Sequence, residues 1–249
     1  MNIGIYGLGR FGAFWASALA KKLPVAGYNR SPLSEPPQGV RLVPLDELLC
    51  CDAIILCVAI SAFRQVVESI APHLRPGTLV MDTCSVKTYP AAIMERFLPP
   101  SVKIVATHPM FGPDSGKNGV AGLPLVFSPI RCDALTSDRW RQLFADMGLH
   151  VIDMGCDQHD REAAYSQGVT HFVGRVLDEL HLEPTELATL GYQRLMSIVE
   201  QTCNDPMQLF YDLQRYNPYA HAMHGKLKHA LDSVLSVLEA QDIVEQERK

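Results

Sequence analysis

The chain has 249 residues, 47% of them hydrophobic and 20% charged, enough apolar material for one or two buried cores and too much for a disordered polymer. Its 22 basic and 27 acidic residues give a net charge of −5 with no long like-charge run, so neither nucleic acid nor an anionic membrane surface is an expected partner. Seven cysteines, an odd number without any Cys-x-x-Cys pair, suit free thiols in a cytoplasm and exclude a disulfide framework or a zinc ribbon.

Short β-rich runs alternate with helical periods through the first part of the chain: Ile3–Tyr6, Val25–Tyr28, Ala53–Ala59, Thr78–Asp82, Val102–Ala106, Leu125–Phe127 and His150–Asp153. Several are apolar at every position, as strands covered on both faces are. That predicts an α/β fold with a doubly wound, mostly parallel sheet over residues 1–155. The longest clean apolar stretch, Ala53–Ile60, falls well short of a bilayer crossing, and the opening residues carry no basic leader, so a cytoplasmic protein is expected.

After Gly155 helical period takes over, and residues 156–249 are expected to form an all-helical domain. Asp157 suits the cap of a helix over about 158–181, along which Tyr165, Val169, Phe172, Val173 and Val176 trace an apolar stripe. Pro184, Asp205–Pro206 and Pro218 mark the starts of three further helices. Helices this amphipathic need a second surface to cover them. They are expected to pack on the first domain and on another copy of themselves, making a homodimer through the helical domain.

The first strand runs into Gly7-Leu8-Gly9-Arg10-Phe11-Gly12 and then a helical period with Phe14, Trp15, Ala18 and Leu19. Gly7 permits the tight turn, Gly9 lets backbone approach a pyrophosphate, and Gly12 lets the helix sit close on the strand with its N-terminus facing phosphates. Strand, motif and helix in this order predict a Rossmann-type dinucleotide site, with Val58 on the third strand added to the cofactor set. The second strand ends in Asn29-Arg30-Ser31, where a carboxylate for a free ribose 2′-hydroxyl is usual. A guanidinium, an amide and a hydroxyl there favour NADP over NAD.

In an open α/β sheet ligands sit beyond the carboxyl ends of the strands. Two polar runs follow strands here, Thr83-Cys84-Ser85-Val86-Lys87 and Thr107-His108-Pro109-Met110-Phe111-Gly112-Pro113-Asp114-Ser115-Gly116. His108, between a strand end and a proline-rich loop, is placed to act as a general base near neutral pH, although position alone fits a structural histidine equally well. In the helical half Gln167, His171 and Arg175 recur every four residues and so share one helix side; the spacing alone reads as a solvated face. His159, His181, His221, His224 and His229 are taken as structural or surface residues. With no carboxylate or thiol at ligand spacing, no metal site is expected.

The GLGRFG motif, Ser85 within CSVK, the stretch THPMFGPDSGK and the later HDREAAYSQGVTHFVGRVL together resemble the TyrA family, the prephenate and arogenate dehydrogenases of tyrosine biosynthesis. The likeness covers most of the chain. The later GYQRLMSIVEQTCNDPMQLFYDL and RYN resemble plant-type arogenate enzymes more than the usual bacterial prephenate enzymes. The resemblance implies an oxidative decarboxylation: a hydride leaves C4 of a cyclohexadienol for the nicotinamide, the C4 hydroxyl gives up its proton, and the ring carboxylate departs as CO2 as the ring becomes aromatic. It makes His108 the acceptor that draws charge off that hydroxyl and Ser85 the group that orients the histidine or the hydroxyl. It places His171 and Gln167 against the substrate and leaves Arg175 at the surface. Asp114 is set to meet the amino group that arogenate has and prephenate lacks. Many bacterial members clamp the ring carboxylate with an arginine where this chain has Tyr192, so Arg194, Arg215 and Lys117 are the candidates for that role.

The expected activity is therefore conversion of arogenate to tyrosine with NADP, with prephenate oxidation to 4-hydroxyphenylpyruvate as the nearest alternative. Imine and β-hydroxyacid reductases share the two-domain plan but would not need His108 in its loop. A catalytically silent, nucleotide-sensing dimer would bind cofactor without turnover.

Overall fold

The computed structural model describes the backbone of residues 1–246 and the side chains of residues 1–240. The last three residues of the expected helical domain lie outside the described residues. Eight strands form one sheet: β1 (Ile3–Tyr6), β2 (Val25–Tyr28), β3 (Val40–Leu42), β4 (Ala53–Leu56), β5 (Leu79–Asp82), β6 (Lys103–Pro109), β7 (Pro124–Arg131) and β8 (His150–Asp153). Their order is β3-β2-β1-β4-β5-β6-β7-β8. All neighbours run parallel except β6 and β7.

The α/β class and the largely parallel sheet agree with the sequence, and the differences are local. β3 was not expected: of its three residues only Val40 is buried, too little apolar signal to mark a strand. β4 stops at Leu56 rather than Ala59 because Cys57–Ala59 turn into the next helix, and β6 continues through His108 to Pro109, paired with β7.

Helices cover both faces. α1 (Arg10–Ala20) and α5 (Ala134–Asp146) lie on one side, where Trp15, Leu19, Trp140 and Phe144 meet Ile3, Ile5 and Phe127 of the sheet. α2 (Leu45–Leu48), α3 (Ile60–Ile70) and α4 (Thr88–Phe97) cover the other, with Phe63, Val67 and Met94 on Ile54, Leu56 and Ile104. Each such fully buried side chain contributes about 1.5–3 kcal/mol relative to exposure. These two layers explain why the strand runs read as continuously apolar.

The helical half contains α6 (Cys156–Ala163), α7 (Val169–Asp178), α8 (Leu190–Cys203), α9 (Met207–Tyr216) and α10 (Ala220–Gln246). The single helix expected over about 158–181 is two helices joined by a π segment, Ala164–Gly168. The helix expected at Pro184 starts instead at Leu190, where the hydroxyl of Thr189 accepts the Tyr192 N–H at 3.2 Å and supplies the cap.

α7 and α8 approach closely at Gly174, where a Cβ would lie 2.1 Å from Oγ1 of the fully buried Thr202. Helix propensity alone would make Gly174→Ala stabilising by about 1 kcal/mol. The steric overlap reverses that sign, and a net loss of about 1–3 kcal/mol is expected, read as a lower urea midpoint; an unchanged or higher midpoint would show that the helices part without cost.

Candidate functional site

The carboxyl ends of β1, β4, β5 and β6 open on one cavity of about 590 Å³, a size that suits a small substrate with part of a cofactor. Its walls come from the glycine turn, from Val58–Ile60, from Thr83–Ser85, from the His108–Pro113 run, and from helical residues including Gln167, His171, Asp205 and Asp212.

The glycine turn is built by contact. Gly7 has φ +96°, and a Cβ there would sit 2.4 Å from the Cys57 carbonyl oxygen. At Gly12 a Cβ would fall 1.9 Å from the Gly7 carbonyl oxygen, so only glycine lets α1 approach β1 this closely. Around the corresponding position of Gly9 there is nothing within 4 Å. Gly9 caps α1 without a side-chain hydrogen bond, and the first N–H groups of the helix remain available to an anion. An open approach beside an uncapped helix start fits a dinucleotide pyrophosphate.

Other members of the expected cofactor set divide. Arg10, Phe11 and Val58 line the cavity, whereas Leu8 is buried in the core at 3% exposure and is corrected to a packing residue. Asn29 is occupied locally: its Oδ1 accepts the Leu8 N–H at 2.9 Å and its amide donates to the Ser31 carbonyl at 2.8 Å. It shapes the turn instead of offering a free donor. Arg30 and Ser31 stand exposed at the end of β2.

His108 lies on β6, almost fully buried, with its Nδ1 2.8 Å from Nε2 of His159. His159, expected to be a surface or structural residue, is 2% exposed, and its own Nδ1 lies 2.8 Å from Oδ1 of Asp160. Burial, the neighbouring His159 and the cation of Lys87 hold His108 well below the usual imidazole range. Its ring is neutral near pH 7. Beneath it the fully buried Lys87 pairs with Asp82 and donates to the Thr107 carbonyl at 2.6 Å. Ser85 lines the same cavity, but the partner of His108 is His159.

Gln167 and His171 both line the cavity, and neither Gln167 Oε1 nor His171 Nδ1 has a partner among the described residues. Orphaned buried polar atoms beside a cavity are what a ligand would satisfy. Burial, with a smaller push from Arg175, lowers the His171 pKa to about 4. Arg175 is not a surface residue: it is half-buried and donates to the carbonyls of Thr202 at 3.1 Å and Asp205 at 2.9 Å, tying α7 to the start of α9.

Asp114 stands at the mouth, exposed, paired with Arg10 at 2.5 Å; the other arm of Arg10 reaches Asp205 at 3.0 Å. Burial pushes the Asp205 carboxyl up, opposed by Arg10. Arg194 is corrected: it is exposed on α8 and does not line the cavity, and Arg215 and Lys117 are also exposed. Two positions along a helix from Tyr192 turn the side chain to another face. Tyr192 itself lines a separate groove and donates its hydroxyl to the Glu183 carbonyl at 2.5 Å. Arg10 is the cation in the cavity lining among the described residues. In the described residues no group of three His, Cys, Asp or Glu is placed to hold a metal ion, and no helix is long and apolar enough to cross a membrane.

Residues 40–126 match the family model of the prephenate dehydrogenase nucleotide-binding domain, and residues 176–249 match that of the TYRAAT1-like C-terminal domain. Arogenate dehydrogenase 2, chloroplastic, of Arabidopsis thaliana is 35% identical over 246 residues, spanning 94% of this chain and 69% of that protein. Arogenate dehydrogenase 1, chloroplastic, of the same plant is 37% identical, spanning 96% of this chain and 39% of that one. Among solved structures, Synechocystis arogenate dehydrogenase superposes with a TM-score of 0.69 at 21% identity over 100% of this chain and 95% of the other. Prephenate dehydrogenase from A. aeolicus, in complex with hydroxyphenyl propionate and NAD+, gives 0.74 at 20% identity over 97% and 92%. The two structural likenesses establish the fold.

The depressed histidines have a thermodynamic consequence. Between pH 6.5 and about 4 the unfolded chain binds a proton at His171 that the folded chain refuses, so stability falls as pH falls through that window. Urea midpoints measured from pH 7 to pH 4 should therefore decline, and less steeply in His171→Gln; parallel declines in both proteins would contradict the burial argument.

Proposed function

Since the chain belongs to the family of prephenate and arogenate dehydrogenases of tyrosine biosynthesis, we propose that it oxidises arogenate to tyrosine with NADP, as a homodimer in the cytoplasm. The observation that carries this reading is a single cavity in which His108 and the glycine turn share walls with Gln167, His171 and Asp205. A base, a dinucleotide cradle and a polar helical wall meet there.

The dinucleotide, when bound, supplies the hydride acceptor. The chain's own residues do the rest. His108, neutral and buried, accepts the hydrogen bond of the C4 hydroxyl, draws its proton as the hydride departs and returns it to the phenol oxygen once CO2 has left. A base in this position typically contributes about 10²- to 10⁴-fold. Ser85 lines the same cavity and is assigned to hold the hydroxyl. His171 and Gln167, with unpaired polar atoms, orient the ring and its substituents.

The amino-acid form of the substrate is favoured by charge. Arogenate carries an ammonium where prephenate carries a carbonyl. The helical wall offers Asp205 and Asp212, but the Asp212 carboxylate is taken by the Ser61 N–H and hydroxyl and by Gln208. Asp205, half-buried and paired with Arg10 through Oδ1, is the acidic group set to meet an ammonium, with Asp114 across Arg10 at the mouth. Phosphate or carboxylate entering the site has Arg10 to meet. At the far end of the cofactor path, the exposed Arg30 and Ser31 suit a 2′-phosphate, and the Asn29 contacts hold their turn in place.

The homodimer reading rests on α10, whose Leu231, Val234, Leu235, Val237 and Leu238 are each 49–60% exposed. A helix of 27 residues, roughly 40 Å long, with that many uncovered apolar side chains calls for a partner, and a second copy supplies the matching face. Sedimentation velocity at micromolar concentration should give twice the 27.6 kDa chain mass; a monomer would remove the dimer from the proposal.

The activity is tested by following reduced cofactor with arogenate and prephenate against NADP and NAD in parallel, in the wild type and in Arg30→Ala. The highest kcat/KM is expected for arogenate with NADP, and the variant should lose NADP turnover by about 10-fold or more while NAD changes little. Equal losses with both cofactors would contradict the 2′-phosphate assignment, and a preference for prephenate would overturn the substrate.

A further inference from the structure

Behind His108 lies a chain of groups that the reaction does not touch. His108 Nδ1 is 2.8 Å from His159 Nε2, and His159 Nδ1 is 2.8 Å from Asp160 Oδ1. All three side chains are at least 98% buried, so water does not compete for these bonds.

Asp160 is surrounded by donors. Its Oδ1 accepts the Lys87 N–H at 2.6 Å, and its Oδ2 accepts the Thr88 N–H at 2.9 Å and the Thr88 hydroxyl. Burial opposes ionisation, but the hydrogen bonds from His159, Thr88 and Lys87 outweigh it and the carboxyl titrates below its ordinary value. A carboxylate has only lone pairs to offer. His159 therefore donates from Nδ1, and in that tautomer its Nε2 can only accept. The neighbouring His108 must then donate from Nδ1, which leaves its Nε2 with a bare lone pair.

We propose that His159 and Asp160 are positioning residues that fix His108 in the tautomer protonated at Nδ1, presenting Nε2 to the cavity as an acceptor. The opposite tautomer would aim an N–H at the substrate hydroxyl and could neither accept its hydrogen bond nor take its proton. The hydroxyl-polarising role of His108 comes from the proposed function above, on which the kinetic part of this inference rests. The tautomer itself rests only on the geometry.

The same contacts fix ring orientation. Asp160 lies on α6, and the groups it holds form the start of α4. Asn217 donates to the Asp160 backbone carbonyl at 2.8 Å, so the aspartate is held from the far helical side as well. His159 is thus clamped between two elements, and His108 inherits that restraint.

Two measurements test this independently of each other. In wild-type protein labelled with ¹⁵N-histidine, with His108 assigned by loss of its signals in His108→Asn, long-range ¹H–¹⁵N spectra should show His108 protonated at Nδ1 and bare at Nε2; protonation at Nε2 overturns the proposal whatever the enzyme's substrate. In steady-state kinetics, His159→Leu removes the acceptor and should lower kcat by about 10²- to 10⁴-fold, the range a positioned base supplies, with the KM for cofactor unchanged. His159→Gln keeps an oxygen acceptor for the His108 N–H and should restore kcat to within about 10-fold of wild type. Equal losses in both variants, or none in His159→Leu, would refute the positioning role. A wild type that shows the expected tautomer but turns over neither arogenate nor prephenate would sink the proposed function and leave the tautomer assignment intact.

Discussion

A buried carboxylate, that of Asp160, joins the two halves of the molecule. Lys87 begins α4 without a cap from its own side chain, and Asp160 arrives from α6 to accept the exposed N–H groups of that helix start. The positive end of the helix dipole and four hydrogen-bond donors, the Lys87 and Thr88 N–H groups, the Thr88 hydroxyl and His159, stabilise an ionised group that burial would otherwise disfavour. α4 follows the β5 turn carrying Ser85 and α6 begins the helical half, so this contact ties one wall of the cleft to the other, alongside Ser61–Asp212 and Arg10–Asp205.

Charge is arranged in layers around that contact. Deepest is the Lys87–Asp82 pair, wholly buried and bonded to the β6 backbone at Thr107. Next comes the buried histidine pair, and at the rim the Arg10–Asp114–Asp205 cluster, which faces solvent. The inner pair is costly to break, since removing either partner strands a charge with no water to receive it. Surface pairs of the rim type are each worth about 1 kcal/mol or less, so the rim can rearrange around an entering ligand while the floor stays fixed.

The parts of this architecture that follow local rules were legible in the sequence. Continuous apolar runs marked the strands because both sheet faces are covered, and the glycine spacing marked the turn because a side chain at Gly7 or Gly12 would strike backbone. His108 and His171, which line the cavity, were singled out through the family resemblance. What stayed hidden depends on contacts between distant segments. His159 pairs with a residue 51 positions away, and nothing in its neighbours distinguishes it from a surface histidine. Leu8 and Asn29 lie inside the glycine motif's reach yet serve packing and turn shape, because a motif says where the backbone goes and not which side chains face the ligand. Arg194 failed for the converse reason: proximity in sequence to Tyr192 carries no information about which side of α8 a side chain occupies. The start of α8 was misplaced because Pro184 and Thr189 are both acceptable helix openers, and only the packing of the loop decides between them.

The π segment Ala164–Gly168 sets the rotational phase between α6 and α7. A π turn holds more than four residues where an α turn holds 3.6, so each inserted residue rotates everything downstream by about 100° around the axis. α6 therefore addresses the sheet with His159 and Asp160, while α7, its continuation, addresses the cavity with His171. One nearly continuous rod serves two walls by means of an angular offset between its halves. A shortening of that segment by a single residue would leave helix length almost unchanged, yet swing the histidine of the second wall away from the ligand space.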